Sequence, residues 1–203
     1  MMMSTRAYHH GNLRAALLDA ALAVLTDKGV TGFSLRETAR RAGVTSAAPK
    51  HHFADTRAML TALATGAFQR LADSLAAADQ TGASKTDKII AQGEAYLAFA
   101  AKQPALYELM WQAALLDLTD ADLLREKNRA FHILDRRVRG ADAERLPDDD
   151  PRMAATFACW SIVHGFARLM IEGSFGLDRE TAEATARATL PRSLRLLVEG
   201  GFR

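Results

Sequence analysis

The chain has 203 residues, of which 49% are apolar and 25% charged, and a net charge of +2. That length and apolar share support a sizeable packed core and imply a folded, globular protein. A single cysteine, Cys159, excludes an internal disulfide, and its apolar neighbours Phe157, Ala158 and Trp160 mark it as a buried thiol rather than a nucleophile or metal ligand.

Met1 to Ala7 is too short and polar for a secretory core. The most apolar run, Met153 to Ala167, is bounded by Arg152 and Arg168 and falls short of the ~20 residues that cross a bilayer. The expectation is a cytoplasmic protein with no membrane partner. Charge is unevenly divided: residues 1–60 hold eight Lys/Arg against four acids, and the remainder eighteen against twenty. Four of the six histidines also lie in that basic head.

Helical periodicity dominates and no stretch alternates as a strand would, so the expected class is all-α, with about nine helices. Asn12 suits the N-cap of a first helix that carries an apolar stripe of Leu13, Leu17, Ala20, Ala21 and Val24 and stops at Gly29. Ser34-Leu35-Arg36-Glu37 reads as a capping box opening a second helix that ends at Gly43. Thr45 is the expected cap of a third, short helix with Pro49 in its first turn, and Asp55 that of a fourth reaching Gln80. Thr81-Gly82-Ala83-Ser84 is the clearest linker and the expected organisational boundary. Beyond it, helices are expected at 85–102, 104–116, 119–139, 150–173 and 178–199, with Asp148-Asp149-Asp150 at the positive end of one and Pro191 kinking or interrupting the last.

Two helices joined by Ala42-Gly43-Val44-Thr45 have the layout of a helix-turn-helix, whose second helix enters the major groove. Ala39 and Ala42 permit close crossing, Gly43 the turn, and Ser46 and Ala47 a low profile against base edges. From Phe33 to His52-Phe53 this pattern resembles the DNA-binding domain of the tetracycline-repressor-like (TetR) family, a likeness over residues 12–60, about a quarter of the chain. YHHGNLR at 8–14 and WSIVHG at 160–165 are similar to the subgroup named for a Trp-His-Gly motif in its ligand-binding domain.

The resemblance implies a double-stranded DNA operator contacted by Arg36, Thr45, Ser46, Ala47, Lys50, His51, His52 and Thr56, with His52 partly packed under its helix. The family usually has tyrosine where Lys50 stands and lysine where Thr56 stands, so one phosphate-clamping charge is repositioned. It also implies a head at 1–54, with a flexible arm at 1–11, and an effector-binding and dimerisation body at 55–203.

Tyr96, Phe99, Tyr107, Met110, Trp111, Phe131, Phe157, Trp160 and His164 form the candidate pocket for a small apolar or aromatic effector. Ordinary core packing is the competing reading of each residue. A homodimer interface is expected on the last two helices, through Ser161, Gly165, Gly173, Leu190, Leu194, Leu197 and Val198. No metal, cofactor or catalytic constellation is expected, His9-His10 included. Two alternatives stay open: an all-helical small-molecule-binding protein or enzyme without DNA, and a regulator without a ligand.

Overall fold

Glycines and small capping residues divide the chain, in a computed structural model that describes residues 13–147 and 149–200, into eight α-helices without a strand among those residues. In order they are α1 (Leu13–Lys28), α2 (Leu35–Arg41), α3 (Thr56–Ala78), α4 (Lys85–Lys102), α5 (Pro104–Met110), α6 (Ala121–Arg139), α7 (Met153–Ile171) and α8 (Arg179–Gly200). The expected ninth is a single 3-10 turn, Ala48–His51. The Asn12 cap, the His9-His10 arm and Asp148 lie outside the described residues.

Local chemistry starts and stops most of these helices where the sequence suggests. Gly29, at φ +64°, ends α1 in the left-handed region that glycine enters without steric cost. Ser34 Oγ accepts the Glu37 N–H at 3.2 Å, and Asp55 accepts the Ala58 N–H at 2.8 Å; such caps each contribute about 1 kcal/mol. Ser84 and Asp87 complete a capping box on α4. The 81–84 segment is a turn between two packed helices, and a single core extends from Leu17 to Leu194 on both sides of it.

α3 is the spine of that core. It packs on α1, α4, α5 and α6, while α4 also packs on α7 and α8. Phe68, Leu71, Tyr107, Leu97 and Leu106 are fully buried there, and each such side chain contributes about 1.5–3 kcal/mol. On the outer side of α3 the arginines of α6 clamp it: Arg129 pairs with Asp73 at 2.7 Å and Arg137 with Asp79 at 2.6 Å. Deeper, Arg139 and Asp135 form a two-pronged pair at 2.5 and 2.6 Å that also holds Thr156 of α7.

Three expected elements differ. The helix expected at 104–116 stops at Met110, because Trp111 turns into a cluster of rings and the chain crosses to α3, where the Asp117 N–H donates to Thr61 Oγ1 at 2.9 Å. Pro191 does not interrupt α8; fully buried Leu190 and Leu194 hold the helix to the core on either side of it. The apolar run expected to end at Ala167 lies in α7, which at Met153–Ile171 is shorter than the expected 150–173 yet, by length and composition, long and apolar enough to cross a membrane. One face, through Cys159, Val163 and Ala167, packs inward, but only 28% of its most apolar window is buried.

Candidate functional site

The head presents two kinds of basic side chain. Lys28, Arg40 and Arg41 converge on Glu37 at 3.1, 2.7 and 3.6 Å, and Arg41 reaches Asp27 at 2.6 Å. Hydrogen bonds from Arg40 and Lys28 hold the Glu37 carboxyl well down, at about 2. Glu37 therefore spends its carboxylate on these cations. Its backbone takes the Ser34 cap, but its side chain ties α2 to the end of α1.

Arg36, Lys50, His51 and His52 form the second kind. All four side chains are exposed and make no hydrogen bond or ion pair among the described residues. Arg36 and Ser46 line one groove, between α2 and the segment after Gly43. The turn itself is made by Gly43 at φ +69° and by the Val44 N–H donating to the Ala39 carbonyl at 3.0 Å. Ala39 is buried beneath it, as close helix crossing requires.

Two details of the head differ from expectation. Thr45 does not cap through its hydroxyl: the N-cap of the 3-10 turn is Ala47, with no side-chain bond, and Thr45 contributes its carbonyl to the Ala48 N–H at 3.0 Å. His52 is exposed instead of packed; Pro49 and Phe53 fill the space under the turn, with the Arg14 guanidinium 5.2 Å above the Phe53 ring. Thr45, Ser46, Ala47 and Thr56 are exposed beside them.

In the body, seven of the nine candidate pocket residues form one connected group. The His164 ring lies 4.7 Å from Trp111, 5.9 Å from Tyr107 and 6.4 Å from Tyr96. Trp160 joins Tyr96, Trp111 and Phe131, and Phe157 stacks on Phe131 at 5.7 Å. Phe157 is 54% exposed and marks the outer end of the group. Phe99 and Met110 are buried without a ring contact to it among the described residues.

Polar groups meet at the centre of the cluster. The Tyr96 and Tyr107 hydroxyls each lie 3.0 Å from His164 Nδ1, and the Tyr107 hydroxyl also faces the His164 carbonyl at 3.5 Å. Burial pushes Tyr107 up to about 12 and Tyr96 well above the usual phenol value, whereas burial and then the Arg168 charge push His164 down. Neutral phenols beside a neutral imidazole have its one ring lone pair, the His164 carbonyl and each other's oxygens as acceptors. Beside the rings lies a cleft of about 20 Å³, between α3, α4, α6 and α7.

The expected interface residues are divided. Leu190 and Leu194 have no exposed surface even in the single chain, because they pack on Gly93 and Val163. They therefore cannot meet a second copy. Gly173, at φ +75°, is the stop of α7, with the Ser174 N–H donating back to Leu169 at 2.9 Å. Ser161 is exposed, Gly165, Leu197 and Val198 are half-buried, and a Cβ on Gly165 would meet open space. The sequence reading missed Leu169 and Leu196, exposed at 40% and 77%, and Gln92, a buried polar residue whose only signal was its place on the apolar stripe with Ile89 and Tyr96.

Residues 17–63 match the family described as bacterial regulatory proteins, tetR family, and residues 89–191 match the tetracyclin repressor-like C-terminal domain. The HTH-type transcriptional regulator BetI of Rhizobium meliloti is 30% identical over 188 residues, covering 86% of this chain and 90% of the relative. A protein with unknown function from Rhodococcus sp. RHA1 has a solved structure with 30% identity and a TM-score of 0.74, covering 93% of this chain and 98% of its own. The TetR family regulator PfmR from Thermus thermophilus, at 21% identity and a TM-score of 0.64, covers 92% of this chain and 99% of its own and shares the fold. With a matched head, a matched body and a full-length relative, the chain belongs to the TetR family and is a DNA-binding transcriptional regulator, not an enzyme.

Proposed function

We propose that the chain is an effector-responsive repressor that binds a palindromic operator as a homodimer, in the cytoplasm where the chromosome lies. The observation that carries the DNA-facing part is the division of basic side chains in the head: those tied to Glu37 hold α2 in place, and Arg36, Lys50, His51 and His52 are left exposed for an anionic partner. Thr45, Ser46, Ala47 and Thr56 complete the contact surface. Arg36 reads a base and Lys50 clamps a phosphate. Residues up to 54 act as the reader and those from 55 as the sensor.

One head covers one half-site, and two are needed about 34–36 Å apart. α7 and α8 supply the two-fold contact, with Phe157, Ser161, Gly165, Leu169, Leu196, Leu197 and Val198 facing the second copy. The incompletely buried apolar face of α7 supports this.

The aromatic cluster is the sensor. Trp160, His164 and Gly165 carry the Trp-His-Gly spacing, and on that basis we assign the chain to the subgroup named for it. Strain there has a path to the reader: Trp111 ends α5, and the segment after it holds the first turns of α3 through Asp117 to Thr61 and through Arg57 Nη2 to the Ala114 carbonyl at 3.3 Å. An apolar effector that moves the rings shifts α3 and with it the spacing of the heads; about 1–3 kcal/mol of coupling suffices.

Selection of bound fragments from the source genome with purified protein tests the reading. It predicts palindromic sites carrying two chains each, and release from them by compounds that quench Trp111 and Trp160 fluorescence. Absence of sequence enrichment, or effector binding that never alters operator affinity, would contradict it.

A further inference from the structure

Gln92 sits on α4 with 3% of its surface exposed, and its Nε2 donates to Asp79 Oδ1 at 2.7 Å. The same carboxylate takes Arg137 Nε at 2.8 Å and Nη2 at 2.6 Å. A carboxylate accepts and does not donate, so it fixes the amide with Nε2 towards Asp79 and Oε1 away. That Oε1 is buried without a hydrogen-bond partner.

Gln92 lines the small cleft together with Ile89, Tyr96, Leu134, Cys159 and Trp160. The other polar groups of this wall offer little: the Tyr96 hydroxyl is engaged with His164, and burial pushes the Cys159 thiol up to about 11, leaving a neutral, weak donor. The Trp160 indole also lines the cleft but only donates, so a water there would have that donor and the Gln92 acceptor, the low end of the two to four partners it needs. An acceptor of fixed direction in an apolar wall is the arrangement that orients one end of a small molecule.

Resting on the reading of the body as an effector site, the geometry points to the chemical class of the effector: a neutral, mainly apolar molecule with one O–H or N–H group, seated against Trp160 and donating to Gln92 Oε1. An anion would face that oxygen with its own lone pairs. A cation would find no free carboxylate, because Asp79 is already neutralised by Arg137. The cleft of about 20 Å³ has room for about one water, so a larger molecule enters by displacing Trp160. Trp160 meets Trp111 edge-on at 5.9 Å, and the displacement passes to the segment that holds α3.

The test is calorimetric titration of the full-length protein with indole, its isostere benzofuran, indole-3-acetate and tryptamine. Indole should bind more tightly than benzofuran by roughly tenfold, the value of a matched buried acceptor, and Gln92→Met should close that gap by weakening indole alone. Equal binding of indole and benzofuran to the unmodified protein, which requires no variant to fold, would overturn the proposal, as would a gap that survives in a folded Gln92→Met. Binding of the anion or the cation without the neutral pair would overturn the donor class and leave the effector site standing. Silence of all four probes would also overturn it, and the operator-release screen judges the effector site separately.

Discussion

The head and the body of this chain treat polar groups in opposite ways. In the head, the Arg36, Lys50, His51 and His52 side chains are exposed and unpartnered among the described residues, while Glu37 gathers Lys28, Arg40 and Arg41. In the body, Asp135 and Arg139 are buried together, and Tyr96, Tyr107 and His164 satisfy one another inside a shell of rings. A surface built for a polyanion keeps its charges available in water. An interior built to sense an apolar molecule satisfies most of the polar groups it encloses, and Gln92 Oε1, like Trp111 Nε1 and His132 Nδ1, is left unsatisfied.

The largest expected effect comes from breaking the body's polar satisfaction. Asp135→Ala removes the carboxylate that pairs with the buried Arg139 and should cost about 3–5 kcal/mol in denaturant unfolding. Each kcal/mol lowers the melting temperature of a chain this size by about 2–4 °C. Folded protein should still contact DNA, since no head residue is touched. Next, Leu196→Glu puts a charge on the proposed two-fold face; sedimentation should show monomers, and operator affinity should fall by about 10²-fold or more as the second half-site is lost.

Substitutions in the head should act on DNA alone. Arg36→Ala should cost about 1–3 kcal/mol at a single base position and relax preference there. Lys50→Ala should weaken every sequence alike. Equal losses from both on all sequences would mean that the two side chains share one role. The smallest effect is with pH: the Glu37 carboxyl is at about 2 when folded, below its ordinary 4.5, so the stability it lends to α2 is present above about 4.5 and fades as pH falls towards 2. Faster amide exchange in α2 at pH 3 than at pH 5, after correction for intrinsic rates, would register it.

What was legible in the sequence follows the same division. Gly29, Ser34, Gly43 and Asp55 act through neighbours a few residues away, so their roles could be read from spacing. Thr45 is easily misread because its carbonyl and its hydroxyl can both start a turn, and only the backbone path distinguishes them. In the body the stripe of Leu190 and Leu194 announced a buried face without saying against what; the answer, Gly93 of α4, lies about a hundred residues earlier in the chain. The ring cluster was recognisable as a set, but its closure around His164 depends on α4, α5 and α7 meeting, which no local pattern encodes.

The central claim is that Lys50, unpaired in the head, clamps the phosphate backbone. It is tested most directly by the affinity for an operator duplex selected from the genome, measured against salt concentration for the unmodified protein and for Lys50→Ala. The account predicts a steep linear fall of log affinity with log salt, with a slope smaller in magnitude by about one for each Lys50 removed. Affinity that does not depend on salt, or a slope that Lys50→Ala leaves unchanged, would contradict it.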